Sequence, residues 1–482
     1  MRTSLSRRSF MKGAASALAL SGCYQGIAAT TGQKAAGTPQ EESAPRPNVI
    51  FILADDMGPA DLGCYGGKII PTPNIDRLAA EGMRFTQHYA GATVCGPSRS
   101  CLMTGQHTGH AFLRGNPGQV APNSPLRNRP DKVGRTSDFP LCTEDHPRVT
   151  LADVFKSAGY RTAVVGKWGL GNPGTPGDPM KVGFDEFFGL ATHVDAHTYH
   201  PERVWDNGNY VKNEGRKHVH PLYTDRAIDF VTRHQENPFF LYLAYQFPHG
   251  PYAAHDSLQE EPFTEKHGLK GEVKVYASQI AQMDRSIGLI LKMLEELGIE
   301  RKTLLVFASD NGGGGGLEQL GSTRPFRGRK GDLYEGGIRT PMIARWPDRI
   351  ESGTTSDLVS AFWDFMPTVA ELTGQEIPSQ TDGVSLLPVM LGTSSASRPD
   401  AKPIYFEWSR TDRAGQALRR GDWKLIRWLK GKSPTLELYN LKDDIAEERS
   451  RVSSQPGLVK ELTALMDREH VKNEHFPMPY ID

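Results

Sequence analysis

The sequence predicts an α/β protein: a large mixed, mostly parallel sheet flanked by helices, followed by a small C-terminal antiparallel sheet with one helix. Three observations carry that prediction. Residues 49–53 read Val-Ile-Phe-Ile-Leu, an unbroken apolar run with no polar alternation. Such a run suits a strand buried on both faces of a parallel sheet. Similar strands recur at 239–244 and 303–308, with helical patterns between them. Strand–helix alternation over roughly 300 residues indicates parallel pairing. Beyond about residue 395 the pattern changes to short alternating strands separated by turns.

Each element follows in order. After the first strand, residues 74–81 form a helical pattern ending at Gly82. Residues 151–156 form a second helix stopped by Gly159, leading into a strand at 162–165. The strand at 239–244 precedes a long helix around 275–297, which feeds the strand at 303–308. In the C-terminal part, strands fall at 404–408, 417–419, 423–428 and 436–440. A closing helix over 458–468 puts Leu458, Leu462, Leu465 and Met466 on one face. No repeat is visible at solenoid or propeller periods.

Composition narrows the function classes. Lys plus Arg equals Asp plus Glu, 56 each in 482 residues, so no global field favours nucleic acid, and nucleic acid is not an expected partner. Five cysteines are too few for a disulfide-stapled scaffold.

The first residues read as an address. Arg7-Arg8-Ser9-Phe10-Met11-Lys12 precedes an uncharged stretch from 13 to 22 that is too short to span a bilayer. The paired arginines resemble a twin-arginine export signal, and Leu20-Ser21-Gly22-Cys23 resembles a lipoprotein cleavage box with Cys23 as the lipid-bearing residue. The alternative for Cys23 is a plain signal peptide cut near Ala28-Ala29. The expected location is the periplasm or cell surface, with a lipid anchor at Cys23. The expected organisation is an export signal over 1–23, a flexible tether over 24–45, a large α/β catalytic domain over 46–394 and a C-terminal α+β subdomain over 395–482.

Asp55-Asp56 follow the first buried strand, and Asp310-Asn311 follow the strand at 303–308. Crevices in open α/β sheets lie at the carboxyl ends of strands, so the two pairs can converge on one hard cation. Carboxylates plus an amide favour Ca²⁺ or Mg²⁺ over zinc. Taken alone, each pair reads equally well as turn residues. The segment Cys95-Gly96-Pro97-Ser98-Arg99, ahead of Leu102-Met103-Thr104-Gly105, is more specific. Here the chain resembles the sulfatase family, whose core motif is Cys-x-Pro-Ser-Arg. Asp61-Leu62-Gly63-Cys64-Tyr65-Gly66, Gly166-Lys167-Trp168, Pro248-His249, Asp310-Asn311-Gly312 and Lys330 with Tyr334-Glu335-Gly336-Gly337 also match, in family order.

The resemblance implies an alkaline-phosphatase-like fold and a sulfatase cleaving sulfate monoesters, with sulfated carbohydrate or aryl sulfate as substrate. It implies that Cys95 is converted to formylglycine by a sulfatase-maturing enzyme. The hydrated aldehyde supplies one hydroxyl to attack sulfur and a second to expel sulfate. Arg99 is expected to hold that hydrate, and Asp55, Asp56, Asp310 and Asn311, together with residue 95, to bind one Ca²⁺. Lys167 and Lys330 are expected on the sulfate oxygens, and Lys330 or His249 as proton donor to the departing alcohol. The stretches from Gly109 to Asn116 and from Gly183 to Trp205 resemble galactose- or N-acetylgalactosamine-directed relatives.

One departure stands out. Many relatives have Lys-Trp-His-Leu-Gly where this chain reads Lys167-Trp168-Gly169-Leu170-Gly171. The missing histidine usually contacts the formylglycine hydroxyl. In Asp195-Ala196-His197-Thr198-Tyr199-His200, His197 is expected to take over that contact or one to a substrate hydroxyl, unless the stretch is an ordinary substrate-edge loop. Gly312–Gly316 lacks a following Gly-Lys-Ser/Thr, so it is expected as a mobile loop and not a nucleotide cradle. Two rival functions remain at this stage: a phosphonate or phosphate ester hydrolase of the same superfamily, and an inactive glycan-binding lipoprotein.

Overall fold

The computed structural model describes residues 46–116, 140–193, 195–252, 261–315, 319–395, 397–410, 413–429 and 433–482. The export signal, the tether and Cys23 lie outside the described residues. In chain order the first strands are β1 (Asn48–Ala54), β2 (Met83–Phe85), β3 (His88–Tyr89), β4 (Arg161–Lys167), β5 (Glu186–Leu190), β6 (Arg203–Asp206), β7 (Asn209–Lys212) and β8 (Phe239–Ala244). Then come β9 (Thr303–Ser309), β10 (Met342–Arg345), β11 (Thr354–Ser356) and β12 (Ser360–Ala361). The last are β13 (Ile404–Arg410), β14 (Arg413–Arg420), β15 (Trp423–Leu429) and β16 (Thr435–Asn440).

The main sheet runs β11-β2-β10-β9-β1-β8-β4-β5-β6-β7. Its centre is parallel: β1 pairs with β8 and β9, and β4 with β8 and β5. β10 and β6 run antiparallel to their neighbours, which makes the sheet mixed. β1 is buried along its whole length and feeds two cores. Val49, Phe51 and Leu53 pack on one face of the sheet, with Phe155 of the Leu151–Ser157 helix and Val369 of the Phe365–Thr373 helix. Ile50, Ile52 and Ala54 pack on the other, with Phe230 of the Val219–His234 helix and Ile287 of the Gly271–Glu296 helix. A strand side chain alternates faces with period two, so a run that is apolar at every position needs a helical layer on both sides.

The smaller sheet is antiparallel, β13-β14-β15-β16. The Pro456–Arg468 helix covers one of its faces with Leu462, Leu465 and Met466 against Tyr405, Leu418, Leu425 and Leu438. The opposite face, Phe406, Trp408 and Ile426, packs on Tyr89, Leu333 and Trp363 from the main body. The strands β5–β7 and the Val219–His234 helix were not among the expected elements. Among the described residues no helix is long and apolar enough to cross a membrane.

Parallel strands deliver their carboxyl ends to one edge. β1, β9, β4 and β8 therefore bring Asp55, Asp310, Lys167 and the loop holding His249 to the same rim.

Candidate active site

At the end of β1 the backbone turns sharply: Asp56 takes the left-handed conformation with φ 68°. Aspartate tolerates that region better than most residues. The turn is fixed by Asp56 N–H donating to Asp310 Oδ1 at 3.2 Å and Met57 N–H donating to Ser309 Oγ at 3.0 Å. Asp55, Asp56 and Asp310 thereby place carboxylate oxygens within 4.8 Å of one another, all buried. Asn311 Nδ2 donates to Asp56 Oδ1 at 2.8 Å, which orients its Oδ1 away from that bond. Asp55 Oδ1 and Asn311 Oδ1 are buried with no hydrogen-bond partner. Two orphaned oxygens beside three carboxylates make an oxygen-only donor set suited to a hard divalent cation.

Cationic side chains surround this cluster. Lys167 Nζ lies 2.6 Å from Asp55 Oδ2, and Lys330 Nζ 2.7 Å from Asp56 Oδ2. Arg99 donates through Nε and Nη2 to Asp310 Oδ2 at 3.0 and 2.9 Å, and through Nη1 to the Lys167 carbonyl at 2.9 Å. His249 Nε2 sits 3.5 Å from Asp56 Oδ2. Burial alone would raise Asp55, but Lys167, His249 and Arg99 outweigh it and hold its carboxyl well below the usual range. Burial and the neighbouring Asp55 charge push Asp310 up despite Arg99. Burial works against His249 protonation, yet Asp56 and Asp55 carry it above the ordinary histidine value.

Cys95 opens the Cys95–Thr104 helix, whose residues are all buried and which ends at Gly105 in the left-handed conformation. One helical turn separates Cys95 from Arg99, so both face the strand ends. The helix N-terminus contributes partial positive charge at position 95. Cys95 Sγ lies 3.0 Å from His193 Nε2 and 3.9 Å from Lys330 Nζ. Burial opposes ionisation there, but Lys167, Lys330 and His193 bring the thiol well below its ordinary value. The pocket is thus built to hold an anionic group at residue 95 and to receive further negative charge.

All the residues expected at the site except His197 meet in this one constellation. Of the two contacts expected of His197, to residue 95 or to a substrate hydroxyl, the first is made by His193, which no motif singled out. His197 stands behind His249, its ring stacked at 5.0 Å and 13°. Its pKa falls to about 4, from burial first and then from His249, Lys167 and His193. Gly312 is not loose either. A Cβ there would lie 1.8 Å from the Gly336 carbonyl oxygen, so this glycine permits a close backbone approach beside Asp310 and Asn311. Gly316 lies outside the described residues. Among the described residues Cys64, Cys95, Cys101 and Cys142 are all free thiols.

A second cluster, His107, His110 and Glu469, resembles a metal site in its spacing. Gly109 N–H donates to His107 Nδ1 at 3.1 Å, so the ring proton resides on Nε2, which faces Glu469 Oε2 at 3.3 Å. A protonated nitrogen offers no lone pair to a metal, and the cluster is a hydrogen-bonded tie to the C-terminal helix.

Fold and site together define the class: an ester hydrolase of alkaline-phosphatase-like architecture. The family model described as Sulfatase matches residues 47–375, and a second, described as N-sulphoglucosamine sulphohydrolase, C-terminal, matches 328–473. The chain is 35% identical over 398 residues to an N-acetylgalactosamine-6-sulfatase of Canis lupus familiaris, covering 77% of this chain and 70% of that protein. It is 29% identical to an N-acetylgalactosamine-6-O-sulfatase of Bacteroides thetaiotaomicron, covering 93% and 96%. Among solved structures, Ps i-CgsB in complex with k-i-k-neocarrahexaose superposes with a TM-score of 0.73 at 28% identity, over 88% of this chain and 92% of that one. The chain belongs to the sulfatase family and is a sulfuric ester hydrolase.

Proposed function

We propose that this enzyme removes sulfate from sulfated carbohydrate, using formylglycine made from Cys95 and one Ca²⁺ held by Asp55, Asp56, Asp310, Asn311 and residue 95. The observation that carries this reading is the meeting of buried oxygens with residue 95: Asp55 lies within 4.8 Å of Cys95 Sγ and of Asp56 and Asp310, and both Asp55 Oδ1 and Asn311 Oδ1 are orphaned. The naming of two relatives as N-acetylgalactosamine-6-sulfatases supports a sulfated amino sugar as substrate. A hydrated aldehyde at residue 95 would supply the oxygen nucleophile, and the cation would lower its pKa and offset sulfate charge.

The chain's own residues do the rest. Lys167 and Lys330 hold the sulfate oxygens against residue 95; Lys167 is fully buried, so its charge is undiluted by water, and Lys330 is half-buried. Arg99 fixes Asp310 and the Lys167 backbone, keeping cation ligands and sulfate site in register. His249, whose pKa Asp56 and Asp55 raise against the effect of burial, donates a proton to the departing sugar oxygen; Lys330 is the second candidate for that role. His197, stacked on His249, sits where it can meet a substrate hydroxyl.

The proposed setting is the periplasm or cell surface. Export would use the twin-arginine machinery after a maturing enzyme has acted on Cys95, and lipid on Cys23 would anchor the chain. The test is peptide mass spectrometry of protein made with a maturing enzyme. Conversion lowers the residue 95 mass by about 18 Da, a thiol replaced by an aldehyde. Sulfate release is then assayed on N-acetylgalactosamine 6-sulfate. An unconverted, inactive chain would sink this reading.

A further inference from the structure

We infer that His193 is a catalytic residue: from the loop after β5 it supplies the imidazole that the Lys167-Trp168-Gly169 segment lacks. The inference rests on the formylglycine reading above and goes beyond it in naming the residue. The loops after β4 and β5 run side by side, with Trp168 N–H donating to the Leu190 carbonyl and Gly169 N–H to the Ala191 carbonyl, both at 3.0 Å. That pairing brings positions 169 and 193 together.

They exclude one another. A Cβ at position 169 would stand 2.7 Å from His193 Nδ1 and 3.1 Å from its Cε1. The absence of a side chain at 169 is therefore the space in which the His193 ring lies. Gly169 also has φ +71°, a conformation side chains rarely adopt. The ring is buried and presents Nε2 to Cys95 Sγ at 3.0 Å, a polar contact at the reacting position. Packing alone would need only the ring's bulk, not a nitrogen aimed at that atom.

In the converted enzyme His193 Nε2 hydrogen-bonds the hydroxyl in the place of Sγ and accepts its proton. The O–H bond breaks, its electron pair stays on oxygen, and the proton passes to Nε2 and afterwards to water. His249 also borders residue 95, its ring nitrogen lying within 4.8 Å of Cys95 Sγ and Asp55, but its Nε2 faces Asp56 Oδ2 at 3.5 Å, whereas His193 Nε2 meets Cys95 Sγ directly at 3.0 Å.

The test counts converted sites by mass spectrometry, so that turnover is expressed per formylglycine. His193→Ala is expected to lower kcat about 10²-fold with KM nearly unchanged, the loss typical of a removed acid–base group. The swap variant, Gly169→His with His193→Ala, returns an imidazole by the other loop and is expected to recover about tenfold of that loss. A readout independent of turnover uses unconverted protein. Cys95→Ala should move the His193 ring-nitrogen NMR resonances and leave those of the exposed His267 in place. Turnover of His193→Ala within about threefold of the parent, or ring nitrogens indifferent to Cys95→Ala, would each overturn the assignment. Absence of the mass loss in the parent chain would instead strike the formylglycine reading, and the NMR comparison would then decide the contact by itself.

Discussion

Lys167 Nζ and Asp55 Oδ2 lie 2.6 Å apart with both side chains completely buried. The pair couples the end of β4 to the end of β1, so one residue proposed on sulfate and one proposed on the cation neutralise each other. Removing one partner of a buried pair is costly because the other charge remains. Lys167→Met leaves Asp55 with Arg99 at 3.3 Å as its nearest cation. The variant should lose about 3–5 kcal/mol of stability as well as its turnover. Denaturant unfolding checks this, and a variant as stable as the parent would show that Arg99 and His249 suffice for Asp55.

Calcium should stabilise the folded chain. Asp55 Oδ1 and Asn311 Oδ1 offer buried acceptors with no donor in the protein, so a cation bound there satisfies both. A ligand present at about 100 times its Kd stabilises by about 2.7 kcal/mol. Calorimetry in EDTA and then in excess Ca²⁺ should show a rise in Tm, and Asn311→Ala should blunt it. An identical Tm in both buffers would count against the oxygen cluster as a cation site.

Asp61 gives the chain a pH dependence of its own. Tyr276 OH and Gly58 N–H donate to its Oδ2 at 2.6 and 2.9 Å, and Ser322 Oγ donates there too. Burial nevertheless wins and raises its pKa to about 6. A carboxyl whose folded pKa is raised keeps its proton when folded and loses it when unfolded. Stability therefore falls as pH rises between about 4 and 6, by at most about 1.4 kcal/mol per unit. Urea unfolding at successive pH values should show that slope, and Asp61→Asn should flatten it.

Much of this was legible because it is local. β1, β8 and β9 are buried on both faces, so their apolar runs mark them almost to the residue, and the polar residues that end them mark the rim. The Cys95–Arg99 turn is equally local, its helical spacing fixing which side chains share a face. β5 was harder to see: Gly189 interrupts it, and its partner β6 turns back antiparallel. His193 was invisible for a different reason. Its relation to Gly169 depends on two loops lying side by side, a pairing of strands β4 and β5 that no short motif encodes. His197, the nearer match to an expected pattern, stacks on His249 instead.

The C-terminal sheet should matter to catalysis without touching the site. Lys424 Nζ on β15 lies 2.9 Å from Glu335 Oε1 and 2.8 Å from Glu447 Oε1, all three side chains buried. Glu447 in turn grips both ends of the segment that carries Lys330. Its carbonyl accepts from Arg327 Nη1 at 2.7 Å, and its carboxylate accepts from Glu335 N–H at 2.7 Å. Between these anchors Lys330 reaches Asp56. Lys424→Met removes the cation that two buried carboxylates share, leaving Glu447 without one and Glu335 with Arg339 at 3.2 Å, and should cost about 3–5 kcal/mol. It should also loosen Lys330, so kcat/KM falls at temperatures where the variant is still folded. Leu462→Ala, in the core between the small sheet and its helix, should lose a comparable ~2–5 kcal/mol while leaving the Glu447 anchors intact. Comparing kcat/KM of the two variants well below their melting temperatures separates general destabilisation from loss of the anchor. Equal activity in both would mean that the Lys330 segment holds its position without Lys424.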